Sequence, residues 1–339
     1  MNSSKVTRLI GSLCALSVFV ASYGYTKTTF KIATTYPDGT PALIELKDAA
    51  DRIEERTDGE VKFKYYAGGV MGDDFTVKRK IRARQLHGGI VQTSVYTPEV
   101  PNLNLYTLPM LFRNIKEANA VREKLDPMLM EELEESGIVP LGFIGIGFAY
   151  AMGTKPVGRI QEVRRSKVWT PKDDPGAEHN LKVFGINPIP LPVGDVLTGL
   201  QTGLIDTIAS PPVVAIALQW HTQIKYILDI RLQYVYTIFS IDARMFERLS
   251  KEHQDVVRSV MKSALVRVEK QLIADHDEAL EVIVEQDVEL IKPDGESFGE
   301  WRSLSEDALT QWLENDMIDR ENYERLEEAL EQFRNESTP

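Results

Sequence analysis

Apolar and polar positions follow two rhythms along this chain, and they alternate. Phe30–Ala33 and Val61–Tyr65 keep the two-residue period of strands, and each runs into turn-forming residues: Thr34 to Gly39 after the first, Ala67 to Asp74 after the second. Between them, Leu43 to Ile53 carries apolar residues at helical spacing and is stopped by Thr57-Asp58-Gly59. A helix over Phe75–Leu86 leads through Gly88-Gly89 to a strand near Ile90–Thr93, and Lys116–Glu135 is amphipathic. Strands alternating with helices predict an α/β fold.

The pattern is densest from Lys167 to Pro212. A short apolar run ends at Thr170-Pro171, where proline removes a ladder donor. Gly185 to Pro188 is a turn, and Ile189–Val193 is extended. Asp195 is placed to cap a helix over Val196–Thr202, which Gly203 closes. Ile205–Ile208 then reads as a strand entering Ser210-Pro211-Pro212. In open α/β sheets, ligands sit in the loops at the carboxyl ends of strands.

Gly137 to Tyr150 crosses from the first half of the chain to the second. Gly142, Gly145 and Gly147 lack the Gly-x-Gly-x-x-Gly spacing and no helix follows, so they read as small residues in a hinge strand. Tyr234–Ser240 is a strand returning to the first half. From Ser250 to Gln286, apolar pairs recur at helical spacing, beginning with Val256/Val257 and Val260/Met261. Such a helix is roughly 55 Å long, more than the width of one lobe, so it is expected to lie along two. Trp301 to Phe333 reads as two acidic helices with Leu309, Trp312, Leu313, Leu326, Leu330 and Phe333 inward.

Leu200-Gln201-Thr202-Gly203 with Asp206, the proline-bearing loop Ser210-Pro211-Pro212 and Leu218-Gln219-Trp220 together resemble the second-lobe signature of the DctP-type solute-binding proteins of TRAP transporters. Gly68-Gly69 through Asp73-Asp74 and Leu108-Pro109-Met110 are similar to first-lobe motifs of that family. The resemblance covers about residues 28 to 290 well and the tail loosely. It implies a two-lobed periplasmic-binding-protein fold of the α/β class, with a long helix bridging both lobes. Lobe I is then residues 25–148, with about 239–270 returning to it. Lobe II is 149–238, joined by about 271–339. The resemblance also implies a small-molecule ligand, handed to a small and a large membrane subunit, with no cofactor.

Carried over position by position, the family's ligand contacts fall on Tyr36, Asp73, Gln92, Tyr96, Tyr150 and Ser210, the last where an asparagine is common. One position departs. In most of the family a lysine–apolar–arginine strand end supplies an arginine that clamps the ligand's carboxylate. Here Lys167-Val168 is followed by Trp169. Arg164 and Arg165 are ~13–16 Å upstream along an extended strand. Lys155 and Lys172 lie in loops, but a lysine lacks the bidentate fork. Losing that fork without replacement costs about 3 kcal/mol, over a hundredfold in affinity. Backbone donors at helix N-termini leave a carboxylate open. The balance shifts toward a ligand with an aromatic, apolar or uncharged portion against Trp169.

Composition narrows the rest. The formal charge of −12 with no basic stripe argues against nucleic acid and anionic lipid. Lys5 and Arg8 before the apolar run Leu9–Ala21, then Ser22 and Gly24, read as a secretory signal peptide over residues 1–24, with a signal-anchor as the other reading. About 315 residues then remain, enough for two lobes. The one cysteine, Cys14, lies within that apolar run behind Leu13, which does not suit a lipid-attachment box, so the exported chain carries no disulfide. Chemistry-bearing residues are sparse. His87, His179, His221, His253 and His276 show no metal spacing, and no Gly-x-Ser-x-Gly elbow occurs. The adjacent pairs Asp73-Asp74 and Asp173-Asp174 suit helix caps and turns better than acid–base work. A periplasmic solute receptor feeding a TRAP carrier is therefore expected, not an enzyme. A same-fold receptor for a sensor protein is the alternative, and a periplasmic enzyme stands behind both.

Overall fold

The computed structural model describes residues 27–336, so the signal segment expected over 1–24 lies outside the described residues. The strands are β1 (Thr28–Thr34), β2 (Val61–Tyr66), β3 (Gly88–Gln92), β4 (Ile138–Gly153) and β5 (Trp169–Pro171). They continue with β6 (Ile189–Leu191), β7 (Thr207–Ser210), β8 (Tyr226–Leu228), β9 (Gln233–Asp242) and β10 (Glu289–Ile291). The first helices are α1 (Pro41–Arg56), α2 (Asp74–Arg82), α3 (Ile115–Glu135), α4 (Ile160–Arg164), α5 (Pro175–Val183) and α6 (Val196–Thr202). The remainder are α7 (Pro212–Ala217), α8 (Ala243–Phe246), α9 (Lys251–Val284), α10 (Gly295–Glu314) and α11 (Arg320–Glu336).

The expected helices and strands are present, displaced at their ends by a few residues. The strand read at Ile205–Ile208 lies two residues later, in β7. The extended run Ile189–Val193 ends at Leu191, because Val193–Asp195 winds into a 3-10 turn that runs directly into α6. Asp195 sits inside that turn with helical backbone, so its carboxylate caps nothing.

The main sheet has the order β10-β8-β4-β9-β3-β1-β2, with β7 also on β4, while β5 and β6 form a separate parallel pair. β4 organises it. Residues Ile138 to Ala149 pair antiparallel with β9. Tyr150 to Gly153 pair with β7, and Met152 and Gly153 with β8. One strand thus serves two halves of the molecule and changes partners between Ala149 and Tyr150. Burial explains its composition: all of β4 after Ile138 is buried, so it reads as a continuous apolar run.

α9 is the second tie. Its 34 residues span about 51 Å. Val257, Met261, Ala264 and Leu265 pack with Leu46, Ala49 and Ile53 of α1 in the first half. Farther along, α9 packs on α7 in the second half. Between these contacts it crosses β4, and glycine makes the approach possible. A Cβ on Gly147 would lie 2.4 Å from His276 Nδ1, and one on Gly145 would lie 2.9 Å from Glu269 Oε1, both groups of α9. Gly147 also has φ +115°, a region disfavoured for other residues.

The tail divides between the halves instead of joining the second alone. α10 packs on α4 and α5. α11 returns to α3, where Arg334 Nη2 donates to Glu117 Oε2 at 2.9 Å. This ion pair and the apolar stripe of Leu326, Ala329 and Leu330 help draw the C-terminus back to the first half, as do Asn102 accepting from Asp319 N–H and Asn104 donating to Met317 O. Among the described residues no helix is long and apolar enough to cross a membrane.

Candidate functional site

The two halves enclose a cavity of about 640 Å³. The first half contributes the turn after β1, the start of α1, the start of α2 and the end of β3. Across from these stand β5, the β7–α7 loop and Trp220. β4 and β9 contribute Ala149, Ala151, Gln233 and Thr237, while α9 contributes Gln271, Leu272, Asp275 and Glu278.

Four of the expected site residues line this space: Tyr36, Gln92, Trp169 and Ser210. Tyr36 follows β1 and shares a hydrogen bond with Thr237 Oγ1 at 3.3 Å. Burial pushes its hydroxyl up to about 12, so it stays a neutral donor or acceptor. Gln92 ends β3, and its backbone N–H donates to Asp74 Oδ2 at 2.9 Å. Ser210 ends β7 with its hydroxyl donating to Pro211 O at 3.2 Å. The Trp169 indole N–H donates to Leu191 O at 3.0 Å, across the β5–β6 pair. Its ring meets Trp220 edge to face, with centroids 5.4 Å apart. Trp169 is only 6% exposed, so it is core packing and cavity wall at once.

Three expected residues lie outside the wall, each for a local reason. Asp73 is the N-cap of α2, its Oδ1 accepting from Thr76 N at 2.6 Å. Its neighbour Asp74 lines the cavity in its place. Tyr96 is turned into the core, its hydroxyl 2.9 Å from Ser240 Oγ. Tyr150 alternates with the cavity-lining Ala149 and Ala151, and its ring stacks on His276 at 6.1 Å. Sequence reasoning also passed over Thr170, Asp174 and Trp220. Asp174 caps α5 through Ala177 N at 3.0 Å, as the adjacent-acid reading expected, and lines the cavity as well.

The charges on the wall are one-sided. Asp74, Asp174, Asp275 and Glu278 line the cavity, and among the described residues no lysine, arginine or histidine does. None of the cations weighed as replacements for the missing arginine lines the cavity, and two of them are engaged elsewhere. Arg164 Nε donates to Phe184 O at 2.8 Å. Lys155 pairs with Asp206 at 2.9 Å. Burial alone would raise the Asp206 carboxyl, but Lys155 and the Lys167 N–H outweigh it and hold it below its ordinary value. The motif aspartate is therefore a structural tie between β7 and the segment before β5.

Asp74 behaves in the opposite way. Burial pushes its carboxyl up to about 6 against the pull of the Gln92 N–H, with Asp73 and Asp174 adding to the rise. Burial raises Asp174 too, despite the N–H groups at its helix end. Asp74 Oδ1, Thr170 Oγ1 and Trp301 Nε1 belong to cavity-lining residues and are buried without a hydrogen-bond partner. No trio of acidic, histidine or cysteine side chains among the described residues is arranged to hold a metal ion.

The family described as bacterial extracellular solute-binding protein, family 7 (DctP), matches residues 32–316. The chain belongs to this family. A curated relative, the 2,3-diketo-L-gulonate-binding periplasmic protein YiaO of Escherichia coli, is 26% identical over 250 residues, covering 73% of this chain and 76% of its own. Among solved structures, the sugar-acid-binding protein DctPAm of Advenella mimigardefordensis, in complex with galactonate, superposes with a TM-score of 0.82 at 19% identity. That match covers 91% of this chain and 99% of the other. A TRAP periplasmic solute-binding protein of Haemophilus influenzae with bound L-gulonate also gives 0.82 at 19% identity, over 89% and 100%. At these identities the likenesses establish the fold, and the family match establishes solute binding as its class of work.

Proposed function

We propose that this protein is the periplasmic receptor of a TRAP-type secondary transporter. It captures a small organic solute and delivers it to a small and a large membrane subunit. The observation that carries the reading is the cavity of about 640 Å³ between two halves joined through β4 and α9, in a chain of the DctP family. Residues 1–24 act as the export signal, and no cofactor is required. Tyr36, Gln92, Trp169 and Ser210, with Asp74, Thr170 and Asp174, form the contact set. The relatives named for sugar acids put organic acids in view, while Trp169 in the arginine's place favours a ligand with an aromatic, apolar or uncharged portion. Only a solute that binds the closed arrangement better than the open one drives closure.

Closure is measurable. A solute that raises the melting temperature is expected to lower the radius of gyration in small-angle scattering. Scattering that is identical with and without a saturating, stabilising solute would sink the clamp and the receptor reading with it.

A further inference from the structure

The cavity is built for the opposite charge from that of the acids named with its relatives. This inference rests on the receptor reading and specifies its ligand. We propose that the preferred solute is a largely apolar molecule carrying a protonated amine or similar cation, seated with its cationic end toward Asp74 and Asp174.

Several observations converge on this. The first is the charge census of the wall: four carboxylates and, among the described residues, no basic side chain. A carboxylate entering there would lose its hydration and meet like charges, with no fork to receive it. The second is the unused capacity of Asp74. One oxygen accepts the Gln92 N–H, and the other is buried with no donor. Holding the end of β3 needs only one acceptor, which an asparagine would also supply. An acid left half-satisfied in a buried site is unfavourable, and a cationic donor relieves it. The raised carboxyl of Asp74 is the same imbalance seen through its proton.

The third observation is aromatic. Trp169 and Trp220 stand edge to face in the wall, and Tyr36 lies on the first half. Indole and phenol faces attract cations and accommodate apolar groups, with no preference for carboxylates. The route inward has the same sign. Half-buried Asp275 and exposed Glu278 on α9 border the cavity, on a chain of net charge −12, so the field draws cations and repels anions. The relief of the Asp74–Asp174 repulsion is available only when both halves contact one ligand. That is the differential affinity closure requires.

The test uses one skeleton with three ends: 3-phenylpropylamine, 3-phenylpropanol and 3-phenylpropanoate, titrated against the exported protein by calorimetry and thermal shift. The amine is expected to bind about tenfold or more tighter than the alcohol, and about a hundredfold tighter than the carboxylate. Asp74→Asn is expected to bring the amine down to the alcohol's affinity, and Asp74→Glu to keep most of the difference. A carboxylate that binds as well as the amine overturns the proposal, and so does an amine that gives no shift at millimolar concentration. Galactonate that compacts the protein in scattering would overturn the cationic class and leave the receptor standing. No compaction with any stabilising solute is the failure of the receptor itself.

Discussion

Two buried clusters of charge in this molecule are solved in opposite ways. The first surrounds Arg122 of α3, where the guanidinium donates to Tyr234 Oη at 3.0 Å, to Asp126 Oδ2 at 3.2 Å and to both oxygens of Glu269. Burial works against its charge, and Tyr234, Asp126 and Glu269 more than offset that, so the group stays protonated. Gly145 leaves the room: a Cβ there would lie 3.0 Å from Arg122 Nη1. The second cluster is Asp74 with Asp174 on the cavity wall, where no basic side chain among the described residues answers them. Charge that serves the fold is paired within the chain. The wall carboxylates face no such partner among the described residues, which is the charge pattern the proposed cationic solute would meet.

The largest effect that tests this contrast is on the paired side. Arg122→Met removes the cation and leaves Asp126 and Glu269 facing each other in a buried site. Breaking a buried pair from one side costs about 3–5 kcal/mol, and the loss is expected in the urea midpoint with an unchanged slope. A loss below about 1 kcal/mol would mean that the cluster is well solvated and the comparison ill-founded.

On the unpaired side the sign reverses. Asp74→Asn is expected to stabilise the empty protein by about 2 kcal/mol at pH 7. The folded carboxyl sits at about 6, above its ordinary 3.8, so folding takes up a proton between these values. Stability from this group is therefore greatest below about pH 4 and falls as pH rises through 6. Asp73 and Asp174, which face it, push the same way. The advantage of the asparagine variant should vanish below pH 4. Urea midpoints from pH 4 to 8 for both proteins check this, and parallel curves would contradict it.

Much of the fold was legible because burial follows period. β4 and α9 announce themselves as long apolar patterns, and the glycines of β4 are where α9 comes close. The site was harder to read, since facing is decided by a single residue step. Asp73 and Asp74 are adjacent, yet Asp73 caps α2 while Asp74 lines the cavity. Tyr150 was lost to the strand's alternation. Asp174 does two jobs, and the pattern disclosed only the cap. The departure at Trp169 was visible as a missing arginine. The acidity of the whole wall was not, because its four carboxylates come from three distant stretches: Asp74, Asp174, and Asp275 with Glu278.

Trp169 supplies the smallest and most discriminating test, because it belongs to both sides of the comparison. Its N–H is paired inside the chain, with Leu191 O, as the charge of Arg122 is. Its ring lines the cavity, as Asp74 does. Trp169→Phe keeps an aromatic wall and deletes the hydrogen bond. Leu191 O still accepts the Lys172 N–H at 3.2 Å, so no acceptor is stranded. The expected cost is therefore about 2 kcal/mol of stability, the net value of one satisfied bond with its partner left content plus the packing lost where the indole becomes a smaller phenyl against Trp220. Affinity for 3-phenylpropylamine should fall by less than about threefold, since the phenyl face still receives the cation. Denaturant melts and calorimetry on the one variant read the two quantities separately. A loss of binding far larger than the loss of stability would show that the indole N–H leaves Leu191 for the ligand on closure, moving Trp169 from the paired side to the unpaired one.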